Sequence, residues 1–431
     1  MNFLYSAAAA VALVLSAPLW LVQMARHRKY RAGLGERLGR VPARLRTGNA
    51  GRVIWVHAVS VGEVLAVSGL IAELRARFPG HRVVVSTTTA TGQKLARDRF
   101  GAENAFYFPL DFGFAVRPYL RALHPELVIV AETEFWPNFL RLAHAGGAHV
   151  AVVNARISDR SFPRYRRFRS FMRPVLRNID VFLTQGEEDR RRLLEIGAAG
   201  ERVEVSGNLK FDVRAGAVAP IVTTLRGAIQ RGGGGPLLVC GSTVEGEESL
   251  LLRAFAEVLT KLPAAVMVLA PRHPERFAGA ASLLETSGLR WWRRSQWDGG
   301  GEVRGGVFLL DSIGELAAMY ALAEVAFVGG SLTPRGGHNI LEAAQHGAAI
   351  LVGPHTENFR DIIELFLRAG ALRVVTEAEF TPALLELLSD EARRHEPGTR
   401  AAEVLRAHAG ATARTLAALA DLLSSPEQVK R

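Results

Sequence analysis

EVAFVGGSLTPRGGHNILEAA, residues 324–344, holds an apolar strand-like run, a glycine-rich loop and the start of a helix in one uninterrupted stretch. The apolar run stops at Gly329 and Gly330, and a second pair, Gly336 and Gly337, leads through His338 and Asn339 into helix-forming residues. Runs that are apolar throughout and end in Gly, Ser, Thr or a charge are the pattern of parallel strands covered on both faces. In open α/β sheets, ligands meet the loops beyond such strand ends. Gly329 and Gly330 would let backbone N–H groups approach an anion closely. The helix after them presents an N-terminus that favours negative charge. Glu342, about one turn into that helix, could accept from ribose hydroxyls.

Working outward, the same alternation fills the chain. Before it come RVIWVHA (52–58), HRVVVSTTT (81–89), LVIVAETE (127–134), HVAVVNARIS (149–158) and DVFLTQG (180–186). A second series holds PLLVCGST (236–243), AAVMVLAPRHP (264–274), VFLLDS (307–312), AAILVGP (348–354) and ALRVVTE (371–377). Amphipathic, helix-length stretches separate the runs, so each series reads as βαβ units wound on both faces of a parallel sheet. RGGGGP, 231–236, reads as a loop or linker between the series. The expected fold class is α/β, with two Rossmann-like doubly wound domains and an interdomain cleft. The expected boundaries are 29–212 for the first domain, 213–235 for the linker, 236–405 for the second domain and 406–431 for a closing amphipathic helix.

A chain of 431 residues fits two cores better than one. With 48% apolar and 22% charged residues it has globular composition. The single cysteine excludes a disulfide framework and a cysteine-based metal site, and Cys240 within PLLVCGST reads as a small core residue. A formal net charge of +11 suits an anionic partner such as nucleic acid, anionic lipid or a phosphorylated substrate. Phe3 to Val22 runs about 20 residues without a charge, long enough to cross a hydrocarbon core of about 30 Å. Arg26, His27, Arg28, Lys29 and Arg31 follow it. Residues 1–28 therefore read as an N-terminal membrane helix, and the basic flank puts the rest of the chain in the cytoplasm. The other reading is a helix lying on the membrane surface.

Polar residues just past the runs are the candidates for chemistry. In the second half, Arg272 and His273 of PRHPE follow a strand, and a guanidinium there can fork two phosphate oxygens. Gly314 and Glu315 of DSIGEL follow the next strand. His338 and Glu342 stand four apart without a third ligand or an Asp-x-Asp motif, so no metal is expected. In the first half, Glu36 of GLGERLG is either an ordinary helix-surface glutamate or a general base beside the bilayer. Ser60 and Glu63 of HAVSVGE fit a capping box, and N–H groups behind it, near Gly62, could face substrate. Glu132 and Glu134 of AETEFWPN sit at a strand end, where carboxylates require partners. DRSFPRYRRFRSFMRPVLR, 159–177, carries seven arginines, among them Arg164, Arg166, Arg167 and Arg169, with Tyr165, Phe168, Phe171, Met172 and Val175 at helical spacing. A basic amphipathic helix suits anionic headgroups, and the apolar segment upstream argues for lipid over nucleic acid.

Taken in order, GERLG, HAVSVGE, ETEFWPN, NARISDRS, GNLKFD, PRHPER and GGHNILEAA resemble the 3-deoxy-D-manno-octulosonic acid (Kdo) transferase family along nearly the whole chain. The last motif departs at Ala343, where family members often have Pro. The resemblance implies a GT-B fold with an acceptor domain followed by a nucleotide-sugar domain. It implies inverting, metal-independent transfer of Kdo from CMP-Kdo to a lipid A precursor (lipid IVA) in lipopolysaccharide biosynthesis, at the cytoplasmic face of the inner membrane. No cofactor is implied beyond the donor itself. By the family pattern Glu36 is the general base and Glu132 or Glu134 a further essential acid. Arg272, Gly329, Gly330, Asn339 and Glu342 would hold CMP, with His273, Gly314 and Glu315 beside them. Ser60, Gly62, Arg164, Arg166, Arg167 and Arg169 would meet the acceptor and the membrane. Two other readings share the fold: a sugar-nucleotide epimerase, and a non-catalytic membrane-tethered binding protein.

Overall fold

The structure, a computed structural model, describes residues 5–7, 10–11, 15–16, 32–46, 51–212 and 219–424. The chain divides into two units, Met1–Asp212 with Ala409–Arg431, and Val213–His408. In the first unit, strands β1 (Arg52–His57), β2 (His81–Thr87), β3 (Ala105–Tyr107), β4 (Pro125–Ala131), β5 (His149–Ala155), β6 (Val181–Thr184) and β7 (Val203–Val205) form one sheet. Its strand order is β3-β2-β1-β4-β5-β6-β7. In the second, β8 (Leu237–Thr243), β9 (Val266–Pro271), β10 (Arg290–Arg293), β11 (Gly306–Leu309), β12 (Val325–Val328), β13 (Ala349–Val352) and β14 (Leu372–Val374) stand in the order β10-β11-β9-β8-β12-β13-β14. Every pairing is parallel.

Two-sided burial explains why the strands are apolar at every position. In β1, Val53 and Trp55 face one core with Val128, Val130, Val150 and Val152, while Ile54 and Val56 face the other with Leu127, Ile129, Ala151 and Val153. Side chains alternate across a strand, so a sheet covered by helices on both faces needs apolar residues at odd and even positions alike. In the second unit, Leu238, Cys240, Met267, Leu269, Val325 and Phe327 pack in a common core. Cys240 is fully buried there, as its sequence context predicts.

Two expectations need correction, and a third lies mostly outside the described residues. The segment 213–235 is not a plain linker: Pro220–Arg231 is a 12-residue helix of the second unit that buries Ile221, Val222, Leu225, Ala228 and Ile229. Proline at its first position has the fixed φ that starts a helix. The closing segment is not one helix. It divides into Glu391–His408 in the second unit and Ala411–Ser424 in the first, so the boundary lies near residue 409 and not at 405. Gly410, at φ 87°, makes the break, and Asp212 takes the Gly410 N–H at 2.6 Å and also that of Thr412. The third concerns the N-terminal helix expected over 1–28, most of which lies outside the described residues. Among the described residues no helix is long and apolar enough to cross a membrane.

Candidate functional site

The first sheet reverses its winding between β1 and β4, which are neighbours although β2 and β3 come between them in sequence. Strand ends diverge there and leave room for a ligand. His57, closing β1, is fully buried, and burial pushes its pKa down to about 3, so it is a neutral ring. Its Nδ1 lies 3.0 Å from Ser86 Oγ, it stacks on Phe108 at 3.9 Å, and its Nε2 has no partner among the described residues. Beyond it, Ser60 caps the helix Val61–Arg77. The capping box forms in altered shape: Glu63 accepts from Val59 N–H at 2.8 Å and from the Ser60 hydroxyl at 2.8 Å. Gly62 is exposed, and a Cβ there would stand 3.9 Å from Ser60 Oγ, an ordinary contact.

Glu132, just past β4, has φ 55°, a left-handed conformation that costs a non-glycine residue about 1 kcal/mol or more. Lys210, from GNLKFD, brings its Nζ to 3.8 Å from the Glu132 carboxylate. Glu134 is raised above the usual carboxylate range by burial and by the charge of Glu132. Glu63 is pushed up to about 7, first by burial and further by Glu132 and Glu134. Three carboxylates thus share one strand-end region with one lysine, a crowd in which one of them holds a proton near neutrality. Asn154, ending β5, also has φ 54°; its Oδ1 accepts from Leu209 N–H at 3.0 Å and its buried Nδ2 has no partner among the described residues.

Glu36 belongs to the same face of the first unit. The short helix Leu34–Arg37 rests on β3: Glu36 Oε2 accepts from Tyr107 N–H at 2.8 Å and Oε1 from Arg44 at 2.7 Å. Its side chain is 14% exposed, so it is neither a solvated surface glutamate nor sealed away. Gly33 (φ 72°) stands so close to the Tyr107 ring that no side chain fits, which explains a glycine there. A pocket of about 560 Å³ opens here, lined by Leu34, Val41, Pro42, Arg40 and Arg46 besides Glu36. Leu34, Leu38 and Phe114 are exposed on this unit.

The arginine-rich stretch is not one helix. It bends at Phe168 into Phe162–Arg167 and Arg169–Leu176. Met172, Val175 and Leu176 are buried, and Arg164, Arg166, Arg167 and Arg169 are exposed, as is Phe168. Close to it, Tyr5 bonds Asp111 and stacks near Phe171, with ring centres 6.2 Å apart, and Asn138 Nδ2 donates to Ser6 Oγ at 3.1 Å.

The second sheet reverses between β8 and β12. Arg272, past β9, is exposed and donates its backbone N–H to Thr243 O at 2.9 Å. Burial pushes His338 down to about 4, helped by the charges of Arg272 and His273, and its Nε2 has no partner among the described residues. Burial raises Glu342, and Arg272 opposes the rise. Arg272, His273, His338 and Glu342 therefore lie near one another. Around them the loop differs from expectation. Gly329 N–H donates to Gly241 O at 2.8 Å, while Gly330, Ser331 and Leu332 N–H groups all bond the buried Glu247 carboxylate. These N–H groups are already satisfied, so Gly329 and Gly330 do not cradle an anion. Glycine is required there by crowding: a Cβ would stand 2.6 Å from Ser242 O at Gly329 and 2.8 Å from the His338 ring at Gly330. The following helix is a single turn, Leu341–Gln345, and Asn339 accepts from its Leu341 N–H at 3.1 Å. One turn sums few peptide dipoles, which weakens the expected pull on an anion. Gly314 (φ 89°) and Glu315 lie past β11, the neighbour of β9, where Glu315 takes two bonds from Arg294 at 3.1 and 3.0 Å. Its carboxylate is committed to that pair and not to the Arg272 group.

Glu63, Lys210, Asn154 and Glu247 were not among the expected site residues. Glu63 and Glu247 lie just past apolar runs, and Asn154 and Lys210 fall within NARISDRS and GNLKFD.

Two parallel, doubly wound α/β units with polar strand ends define a fold shared by nucleotide-sugar enzymes of the GT-B kind. The UDP-GlcNAc 2-epimerase from Neisseria meningitidis bound to UDP-GlcNAc matches with a TM-score of 0.53 at 14% identity over 86% of this chain and 99% of that one. The calicheamicin glycosyltransferase CalG4 matches with a TM-score of 0.52 at 16% identity over 87% of this chain and all (100%) of its own. Sequence narrows the class. The family model for 3-deoxy-D-manno-octulosonic-acid transferase (kdotransferase) matches residues 32–213, and the 3-deoxy-D-manno-octulosonic acid transferase of Bordetella pertussis is 38% identical over 90% of this chain and 91% of its own length. The chain belongs to the Kdo transferase family of glycosyltransferases.

Proposed function

We propose that this chain transfers Kdo from CMP-Kdo to a lipid A precursor of the lipid IVA type, with inversion and without a metal. Glu36 carries the reading, being a partly exposed carboxylate in a pocket lined by both apolar and arginine side chains. That lining suits a phosphorylated lipid. Oε1 accepts from Arg44 and Oε2 from Tyr107 N–H, and a carboxylate oxygen can accept a second hydrogen bond. Glu36 takes the proton of the acceptor hydroxyl as its oxygen bonds the anomeric carbon of Kdo. The bond from that carbon to the phosphate breaks, and CMP leaves with the electron pair. The second unit meets that leaving charge with Arg272, a fixed cation. His338, neutral at working pH, can give or accept one hydrogen bond there. Glu132 and Glu134 make the first unit's strand ends acidic, a surface suited to sugar hydroxyls.

Membrane attachment is part of the same proposal: a single N-terminal anchor at the cytoplasmic face of the inner membrane, with Arg164, Arg166, Arg167 and Arg169 toward anionic headgroups. Tyr5 and Ser6, at one end of the apolar stretch, touch Asp111, Asn138 and Phe171, while Gly33, beyond its other end, packs on Tyr107. A helix lying along the surface keeps Asn2 on the cytoplasmic side, whereas a helix crossing a core of about 30 Å carries it to the other side.

The test is a mass-resolved assay of the full chain with CMP-Kdo and the tetra-acylated acceptor. An acceptor heavier by Kdo supports the reading, in the presence of EDTA as well as without it. Donor altered with no acceptor present would favour an epimerase, and CMP binding without turnover on any lipid a binding protein. For the anchor, buried Cys240 leaves a silent background, so an Asn2→Cys variant in spheroplasts should react with an impermeant maleimide only after permeabilisation. Labelling of intact spheroplasts would favour a spanning helix.

A further inference from the structure

We infer that Glu247 is a positioning residue of the donor site, fixing the loop on which His338 rests. The inference depends on the second unit being the donor unit, as proposed above. Glu247 is the first residue of the helix Glu247–Lys261, directly after β8 and a turn through Gly246 at φ 95°. A glutamate there would ordinarily face solvent near its own helix N-terminus. This one is fully buried and reaches across to the next strand. Its Oε2 accepts from Gly330 N–H at 2.8 Å and Val244 N–H at 3.1 Å, and its Oε1 from Ser331 N–H at 3.0 Å and Leu332 N–H at 3.0 Å. β8 and β12 are the neighbours between which the sheet reverses, so the carboxylate ties the two diverging strand ends together.

What hangs on that tie is the site. Gly330 O accepts from Gly337 N–H at 2.7 Å, Ser331 O from His355 N–H at 2.9 Å, and Ser331 Oγ from Gly353 N–H at 2.8 Å. The His338 ring lies over Gly330, so tightly that a Cβ on Gly330 would stand 2.8 Å from its Nε2. Displacing residues 330–332 therefore displaces His338 and the two loops beside it. A carboxylate suits this place because both oxygens only accept. An amide of the same size would turn one NH₂ toward backbone N–H donors and leave them unpaired. Glu248, the next residue, is equally buried but pairs with Arg276 at 3.2 Å and takes no N–H of residues 330–332, so it supplies the control.

The experiment compares Glu247→Gln with Glu248→Gln in the full chain, reading melting temperature, KM for CMP-Kdo, KM for the lipid acceptor, and CMP affinity. Glu247→Gln should raise the donor KM and weaken CMP at least tenfold with the acceptor KM within twofold. Glu248→Gln should lower the melting temperature with the donor KM within twofold. Gly330→Ala, which disturbs the other end of the same tie, should copy Glu247→Gln and serves if that variant does not fold. Equal donor effects at positions 247 and 248 would overturn the inference, as would a destabilised Glu247→Gln with unchanged donor KM. Wild type unable to bind CMP or CMP-Kdo would sink the donor reading and this inference with it, whereas normal wild-type binding with both Glu247→Gln and Gly330→Ala unaffected sinks this inference alone.

Discussion

The two sheets reverse their winding at equivalent places, yet the carboxylates there have opposite fates. In the first unit burial, and after it the charge of Glu132, raises the pKa of both Glu63 and Glu134, with Lys210 at 3.8 Å from Glu132. In the second unit Glu247 is saturated by backbone N–H groups, and Arg272, His273, a neutral His338 and Glu342 gather nearby. The same topological feature thus makes an acidic floor in one unit and a floor that pairs an arginine with a glutamate in the other. A buried carboxylate with a full set of donors is a strut, and one short of donors is available for chemistry.

The largest test of that contrast is Glu36→Gln. The variant should fold normally and lose about 10²–10⁴ in turnover, the usual share of a general base. Near wild-type turnover would remove Glu36 from the chemistry and leave it a strut like Glu247.

Next comes Glu63. Its folded pKa of about 7 stands above the unfolded carboxylate value of 4.5, so the folded state holds the proton more tightly. Its contribution to stability is therefore present below pH 4.5 and is lost as pH rises through 7. Relative to Glu63→Gln, which does not titrate, wild type should lose on the order of 3 kcal/mol across that window. Denaturant melts at several pH values measure the difference, and a constant gap would mean that the acidic floor is not strained.

Arg272→Ala should then raise the donor KM by about 10- to 100-fold, the effect of a hydrogen bond to a charged group, and leave the acceptor KM unchanged. An equal effect on both substrates would break the division of labour between the units. Smallest, Ser60→Ala should cost about 1 kcal/mol of stability as a lost helix cap, with turnover within a few-fold. A larger loss of turnover would make Ser60 an acceptor contact, as the family pattern implies.

How much was legible in the sequence depended on burial. The two-sided strands were readable because their central residues are apolar at odd and even positions alike. β3 (AFY), β7 (VEV) and β10 (RWWR) were not, and each is a sheet edge of three or four residues. Runs that short show no period, and β7 and β10 are also partly exposed. Pro220–Arg231 was hidden by the glycines after it. At the site, Arg272, His338 and Glu342 were readable as residues past strand ends. The commitments of Glu315 to Arg294, and of the Gly330 and Ser331 N–H groups to Glu247, were not, because they depend on partners about 20 and 80 residues away. Single-sequence patterns report which groups are near a strand end. They do not report which of those groups already have a partner.

The late return of the chain to its first unit also orders its synthesis. Residues 213–408 form one continuous unit, but the first also requires Ala411–Ser424, where Ala411 and Leu419 are fully buried in a core with Leu70 and Ile71. During translation the second unit is therefore complete before the first, although its codons are read later. A message truncated before residue 411, or a nascent chain whose residues 411–424 are still held in the ribosomal tunnel, leaves one face of the first sheet uncovered and the first unit open to proteases.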